Sequence, residues 1–183
     1  RQKERMQQEL NVGRDIQLSM VPDTFPAFPD RDEFDIHGLL KPAREIGGDF
    51  YDYFFVERNK LCICVGDVSG KGVPAALFMA VAKTMIKSTS ADDHSPASII
   101  TRVNDEISQD NPNCMFITLF LGILDTETGE LQYTNGGHPY PYLKHADGSV
   151  STLEHLHGPV VGAIDGIAYG EDTVKLALGD QLL

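Results

Sequence analysis

Hydrophobic and polar positions change their period several times along this chain, and each change marks an element. Leu61 to Val65 is a continuous apolar run, too short for a helix and rich in small and β-branched side chains, which predicts a buried strand ending at Asp67. Phe50 to Val56 is aromatic and apolar and predicts its partner, joined through the polar turn Glu57-Arg58-Asn59-Lys60. With the hairpin tip at Arg58-Asn59, Phe50 falls opposite Asp67 and Asp49 opposite Val68. Both carboxylates then lie at one end of the ladder, where directly opposed side chains sit about 5 Å apart at Cβ. Gly66-Asp67-Val68-Ser69-Gly70-Lys71-Gly72 predicts a tight turn whose glycines let the backbone take φ > 0 or be approached closely. Pro74 suits a first helical position, and Ala75 to Ser88 predicts a helix apolar nearly all round.

Upstream, Arg1 to Met20 is polar and helix-forming, with Met6, Leu10, Ile16 and Met20 as a sparse apolar stripe that Gly13 weakens. It is either an amphipathic helix packed on its own domain or the end of a linker helix from an upstream sensory domain, pairing with a second subunit. Val21 to Asp32, with Pro22, Pro26 and Pro29, reads as an extended connector, and Glu33 to Leu40 as the first sheet strand. Downstream, Ser95-Pro96 is a helix start, and Ile99, Ile100, Val103 and Ile107 give that helix one apolar face, with Asn104, Asp105 and Glu106 on a solvated flank. Met115 to Leu124 predicts a long buried strand, and Asp125 to Gly129 turns it back through Glu130 to Asn135. Tyr140 to Lys144 and Val150 to Leu153 make another hairpin. His155 to Ile167 is irregular, Asp172 to Leu178 is a strand, and the last five residues start one more.

Strand hairpins with two consecutive helices in the middle predict an α+β layered domain rather than alternating βαβ units. The 183 residues suffice for one domain with a sizeable core. A net charge of −12 argues against a nucleic-acid backbone or an anionic membrane as partner. No apolar run is long enough to span a membrane, and no signal peptide is evident. Cys62, Cys64 and Cys114 lack CxxC spacing and read as buried reduced thiols, which makes a reducing cytoplasm the default location.

Asp49 and Asp67 are the candidate site. Two carboxylates so close repel, and one pKa rises unless a cation sits between them. For Asp67 alone, the competing reading is an N-cap, weakened because the helix begins several residues later. A phosphate-binding P-loop is excluded, since Lys71 is followed by Gly72 and the position five before Gly70 is Val65. Gly47-Gly48-Asp49-Phe50 is similar to the signature loop of diguanylate cyclases, but Phe50 replaces the second acid, leaving a nucleotide cyclase as a remote alternative. His138 is either a general acid or a turn histidine satisfied by backbone. Lys71 either attracts a phosphate or is simply solvated. His155 and His157, lacking a carboxylate partner at ligand spacing, read as loop residues.

The paired motifs GGDFYD and GDVSGKGVPAALFMA resemble the SpoIIE-like branch of the metal-dependent protein phosphatases, the PPM or type 2C family. ELNVGRDIQLSMVP, Met115-Phe116-Ile117-Thr118, Tyr133-Thr134-Asn135-Gly136-Gly137-His138-Pro139 and Gly179-Asp180-Gln181-Leu182-Leu183 agree in order. The resemblance implies a layered α-β-β-α sandwich of two antiparallel sheets flanked by helices, with residues 1–20 a linker helix and 21–183 the phosphatase domain. It implies that Asp49, Asp67 and the backbone carbonyl of Val68 bind two manganese or magnesium ions. It also implies hydrolysis of phosphoserine or phosphothreonine on a regulatory protein, typically an anti-sigma-factor antagonist, by a metal-activated water without a covalent enzyme intermediate. The family's further metal aspartates, in a Thr-Asp-Gly motif and a later acidic motif, would fall beyond Leu183, so the domain is expected to lack its C-terminal end and the fragment to be a poor catalyst. A non-catalytic docking module on the same fold is the alternative of another class.

Overall fold

Residues 2–42 and 46–183 are described by the computed structural model. Helix α1 (Gln2–Ser19) leads through an irregular segment to the hairpin β1 (Asp49–Glu57) and β2 (Lys60–Val68). Helices α2 (Val73–Asp92) and α3 (Pro96–Gln109) follow, then the strands β3 (Ile117–Asp125), β4 (Glu130–Gly136), β5 (Tyr142–Lys144), β6 (Val150–Thr152), β7 (Asp172–Lys175) and β8 (Gln181–Leu182). Arg1, the first residue of the expected N-terminal helix, lies outside the described residues.

Five strands form an antiparallel sheet in the order β1-β2-β3-β4-β7, and three form a smaller sheet in the order β6-β5-β8. Because side chains alternate along each strand, the large sheet has two different faces. One face carries Phe50, Cys62, Cys64, Val68, Leu119 and Leu121 and packs on Ala75, Met79, Ala82 and Ile86 of α2 and Ile99, Ile100 and Val103 of α3. The other carries Phe120, Leu131 and Tyr133, met by Leu153 and Leu182 from the region of the smaller sheet. Helices, large sheet and small sheet are therefore successive layers, in agreement with the α+β expectation. Helix α3 starts as the sequence predicts, with Ser95 Oγ accepting from the Ser98 N–H at 3.1 Å. Helix α2 has no side-chain cap and begins at Gly72 in a positive-φ conformation, so Asp67 is not its N-cap.

Five expectations are corrected. The β1–β2 register is not the one drawn from a tip at Arg58-Asn59: a bulge between Phe55 and Glu57 places Asp49 opposite Asp67 and Phe50 opposite Gly66. Glu33 to Leu40 forms no strand and joins no ladder; its aromatic side chain Phe34 instead packs tilted against Phe28 and edge-on against Phe55 of β1. The stripe on α1 is largely open, with Met6 and Ile16 more than half exposed, while the residue that α1 buries is Gln17. Gly13 earns its place there, since a Cβ would stand 3.0 Å from Ile46 Cδ1. Asn104 is fully buried rather than on a solvated flank: its carboxamide binds the Ile164 carbonyl and the Gly162 N–H and so holds the irregular segment on α3. Cys62 and Cys64 are buried, with burial pushing the Cys62 thiol up to about 12, but Cys114 is exposed.

Candidate metal centre

The candidate site is assembled at the end of the β1–β2 hairpin. Asp49 is the first residue of β1, Asp67 the penultimate one of β2, and they are direct register partners. Paired residues of antiparallel strands present side chains to the same face, so the two carboxylates share one edge of the sheet. Both are exposed, in contrast to their buried neighbours Phe50, Gly66 and Val68. Partial burial, then a hydrogen bond that the protonated Asp67 donates to Asp49 and the charge of Asp49, push the Asp67 carboxyl above the usual range. A cleft of about 230 Å³ opens beside them, lined by Gln17, Gly47, Gly48, Asp49, Asp67 and Lys71.

Val68 brings its carbonyl to the same place. The Val68 N–H reaches the Gly48 carbonyl at 3.4 Å, and a Cβ on Gly48 would lie 2.8 Å from Val68 O. Gly48 must therefore be glycine for the two backbone segments to approach. Ser69 fixes the exit from β2, donating its N–H to Phe116 O at 2.8 Å and accepting the Phe116 N–H on Oγ at 2.9 Å. Lys71, exposed between Gly70 and Gly72 with φ of 86° and 72°, lines the cleft without a hydrogen bond or ion pair among the described residues.

Three residues that lie within the quoted motifs, but for which the sequence suggested no role, complete the surroundings. Gln17 of α1 closes both polar groups of Gly47, donating to its carbonyl and accepting its N–H at 3.1 Å, and so ties the N-terminal helix to the Gly47-Gly48-Asp49 loop. Thr118, opposite Asp67 on the β3 side, places Oγ1 2.9 Å from His138 Nδ1. Asn135 is fully buried, accepts the His138 N–H at 2.7 Å and donates to His138 O at 3.0 Å, closing the turn in which Gly137 has φ 73°. A polar residue in an otherwise apolar strand end was the available signal for Asn135 and Thr118; nothing in the local pattern marked Gln17.

His155 and His157 do have a carboxylate partner, contrary to expectation: β7 supplies Asp172, at 2.5 Å from His155 Nδ1 and 3.1 Å from His157 Nε2. These are the tightest potential ligand cluster among the described residues. The buried His157 ring, however, accepts the Asn135 N–H on Nδ1, at 3.0 Å. The neutral ring then carries its proton on Nε2, which disqualifies that nitrogen as a metal ligand. The cluster is a clamp between β4, β7 and the irregular segment, and the histidine hydrogen bonds hold the Asp172 carboxyl below the usual range.

The hard oxygen donors Asp49, Asp67 and Val68 O suit magnesium or manganese, and a divalent cation would relieve the repulsion that raises Asp67. The donor set fits such an ion.

The family model described as Stage II sporulation protein E (SpoIIE) matches residues 57–183. The chain belongs to the SpoIIE family. The matched stretch contains Asp67, Val68, Thr118 and His138 and begins after Asp49. Protein IcfG of Synechocystis sp. is 30% identical over 202 residues, covering 96% of this chain and 31% of IcfG. The phosphoserine phosphatase RsbU of Bacillus subtilis is 27% identical over 176 residues, covering 96% of this chain and 51% of RsbU. This SpoIIE-family chain thus spans about half or less of the length of these relatives. The SiaA-PP2C domain of Pseudomonas aeruginosa superposes with a TM-score of 0.81 at 23% identity, over 98% of this chain and 71% of that one, and shows the same fold. No helix among the described residues is long and apolar enough to cross a membrane.

Proposed function

We propose that residues 21–183 belong to the catalytic domain of a metal-dependent protein phosphatase that removes phosphate from phosphoserine or phosphothreonine on a regulatory protein, in the manner of sigma-factor control. The observation that carries this reading is the direct opposition of Asp49 and Asp67 at the mouth of a cleft, with the Asp67 carboxyl raised first by partial burial and then by its partner. Asp49, Asp67 and the Val68 carbonyl are the residues that hold the metal ions. Bound there, two divalent ions activate water and neutralise phosphoryl charge. Gly48 keeps the Val68 carbonyl reachable, and Ser69 fixes the β2 exit that positions Asp67. No Ser, Cys or His nucleophile is required. Cys62 and Cys64 are too deeply buried to serve as one, and two buried thiols suit a reducing cytoplasm.

The substrate class is supported by family membership and by the relative named a phosphoserine phosphatase. An anti-sigma-factor antagonist is the partner assigned here, and residues 1–20 are assigned as a linker helix from an upstream sensory domain. The open stripe of Met6 and Ile16 suits a second copy of the helix, and the Gln17 bonds to Gly47 give that helix a grip on the site. The test is release of phosphate from a phosphoserine-bearing protein by the full-length protein with manganese or magnesium. Turnover that vanishes with chelator and in Asp67→Asn supports the reading; metal-independent turnover refutes it, and loss of all turnover with intact binding of the partner points to a docking module.

A further inference from the structure

Thr118 and His138 lie on separate strands' ends, and the fold brings them into one hydrogen bond of 2.9 Å between Oγ1 and Nδ1. Thr118 is opposite Asp67, which is opposite Asp49, so Asp49, Asp67 and Thr118 form a row across β1, β2 and β3 on one face of the sheet. His138 extends that row. Its turn is built rather than incidental: the buried Asn135 carboxamide holds both the N–H and the carbonyl of His138, and the Asn135 N–H is itself bound by His157. The imidazole is half-buried, and both the hydroxyl and the backbone of Thr118 engage it.

We propose that His138, oriented by Thr118, is a phosphate-binding residue of this site, its Nε2–H donating to an oxygen of the substrate's phosphoryl group. The proposal rests on the phosphatase reading given above. With the Thr118 hydroxyl as donor to Nδ1, the tautomer this role requires, the ring proton sits on Nε2. Burial moves the His138 pKa down, against the opposing effects of a Thr118 backbone hydrogen bond and the Asp49 charge, so the ring works as a neutral donor near neutral pH. Neutrality matters at this place. A fixed positive charge beside Asp49 and Asp67 would compete with divalent ions for the carboxylates, whereas a neutral N–H approaches an anionic oxygen without that conflict. Thr118 is then a positioning residue, which gives the two motifs a common purpose.

The experiment uses the full-length protein and five variants: His138→Phe, His138→Gln, Thr118→Val, Thr118→Ser and the double variant His138→Phe/Thr118→Val. Calorimetry reads manganese affinity and the affinity of the manganese-loaded protein for inorganic phosphate; turnover of a phosphoserine peptide is read alongside. His138→Phe is expected to weaken phosphate binding about tenfold, the effect of losing one hydrogen bond to a charged group, while manganese affinity stays within about twofold. His138→Gln recovers part of the loss, Thr118→Val loses less than His138→Phe and adds nothing to it in the double variant, and Thr118→Ser restores the wild-type value. Unchanged phosphate affinity in His138→Phe overturns the proposal, as does a parallel loss of manganese affinity, which would make the residue structural. A wild-type protein that binds phosphate but hydrolyses no phosphopeptide overturns the phosphatase reading, and the phosphate arm still decides the role of His138.

Discussion

Asp49 and Asp67 face each other across the β1–β2 ladder because β1 carries one extra residue, the bulge between Phe55 and Glu57. Without it, the two carboxylates would be offset by one position and point to opposite faces. The facing arrangement sets carboxylate against carboxylate, which adds to the effect of partial burial in raising Asp67. A carboxyl whose folded pKa is raised costs stability once pH rises through that value. Asp67→Asn should therefore stabilise the metal-free protein slightly at neutral pH, by less than about 1 kcal/mol because both groups are exposed. The same variant should lose divalent binding in calorimetry. Wild-type affinity should rise with pH as Asp67 releases its proton, and a flat pH profile would contradict this.

Gly48→Ala places a methyl group 2.8 Å from Val68 O and 2.9 Å from Val68 Cβ. Backbone cannot yield as a flexible side chain can, so a loss of about 1–3 kcal/mol in denaturant unfolding is expected, with weakened metal binding as the carbonyl is displaced. Gly47→Ala, where nothing lies within 4 Å of the added carbon, is the control and should leave metal binding nearly unchanged.

Gln17→Ala removes both side-chain bonds to Gly47 and leaves its part-buried polar groups unpaired. A cost of about 1–3 kcal/mol is expected. Hydrogen exchange should show faster exchange at the Gly47 amide while the amides in the centre of β3 stay protected. Equal protection at Gly47 in both proteins would remove the link between α1 and the loop.

Lys83 of α2 pairs with Asp52 of β1 at 2.5 Å, both side chains largely buried. Lys83→Met strands a buried carboxylate and should cost about 3–5 kcal/mol, whereas the double variant Lys83→Met/Asp52→Leu should recover much of that loss. Chemical denaturation of the wild type, Lys83→Met, Asp52→Leu and the double variant measures the coupling.

The Lys60 ammonium, at 2.9 Å, and the Thr128 N–H hold the Asp125 carboxyl down to about 2. A depressed carboxylate contributes stability fully above its unfolded pKa of about 3.9 and loses it as pH falls toward the folded value. Asp125→Asn should therefore lower the denaturation midpoint at pH 7 but make little difference near pH 2. An equal difference at both pH values would show that the turn is not held by charge.

Local periodicity and turn chemistry are enough to read the β1–β2 hairpin, the Ser95-capped α3, the return from β3 to β4 through Asp125 to Gly129, and the gathering of Asp49 and Asp67 at one strand end. Relations between distant segments have no local pattern and emerge only on folding. One inserted residue changes a strand's register without disturbing its apolar character, so the facing of Asp49 and Asp67 was hidden from composition and spacing. Asp172 meets His155 and His157 because β7 pairs with β4, and Thr118 meets His138 because the start of β3 lies beside the end of β4 in the antiparallel ladder. Asn104 and Gln17 look solvated in sequence because polarity is a local property, whereas the backbone groups that satisfy them, Gly162 and Gly47, arrive from distant parts of the chain.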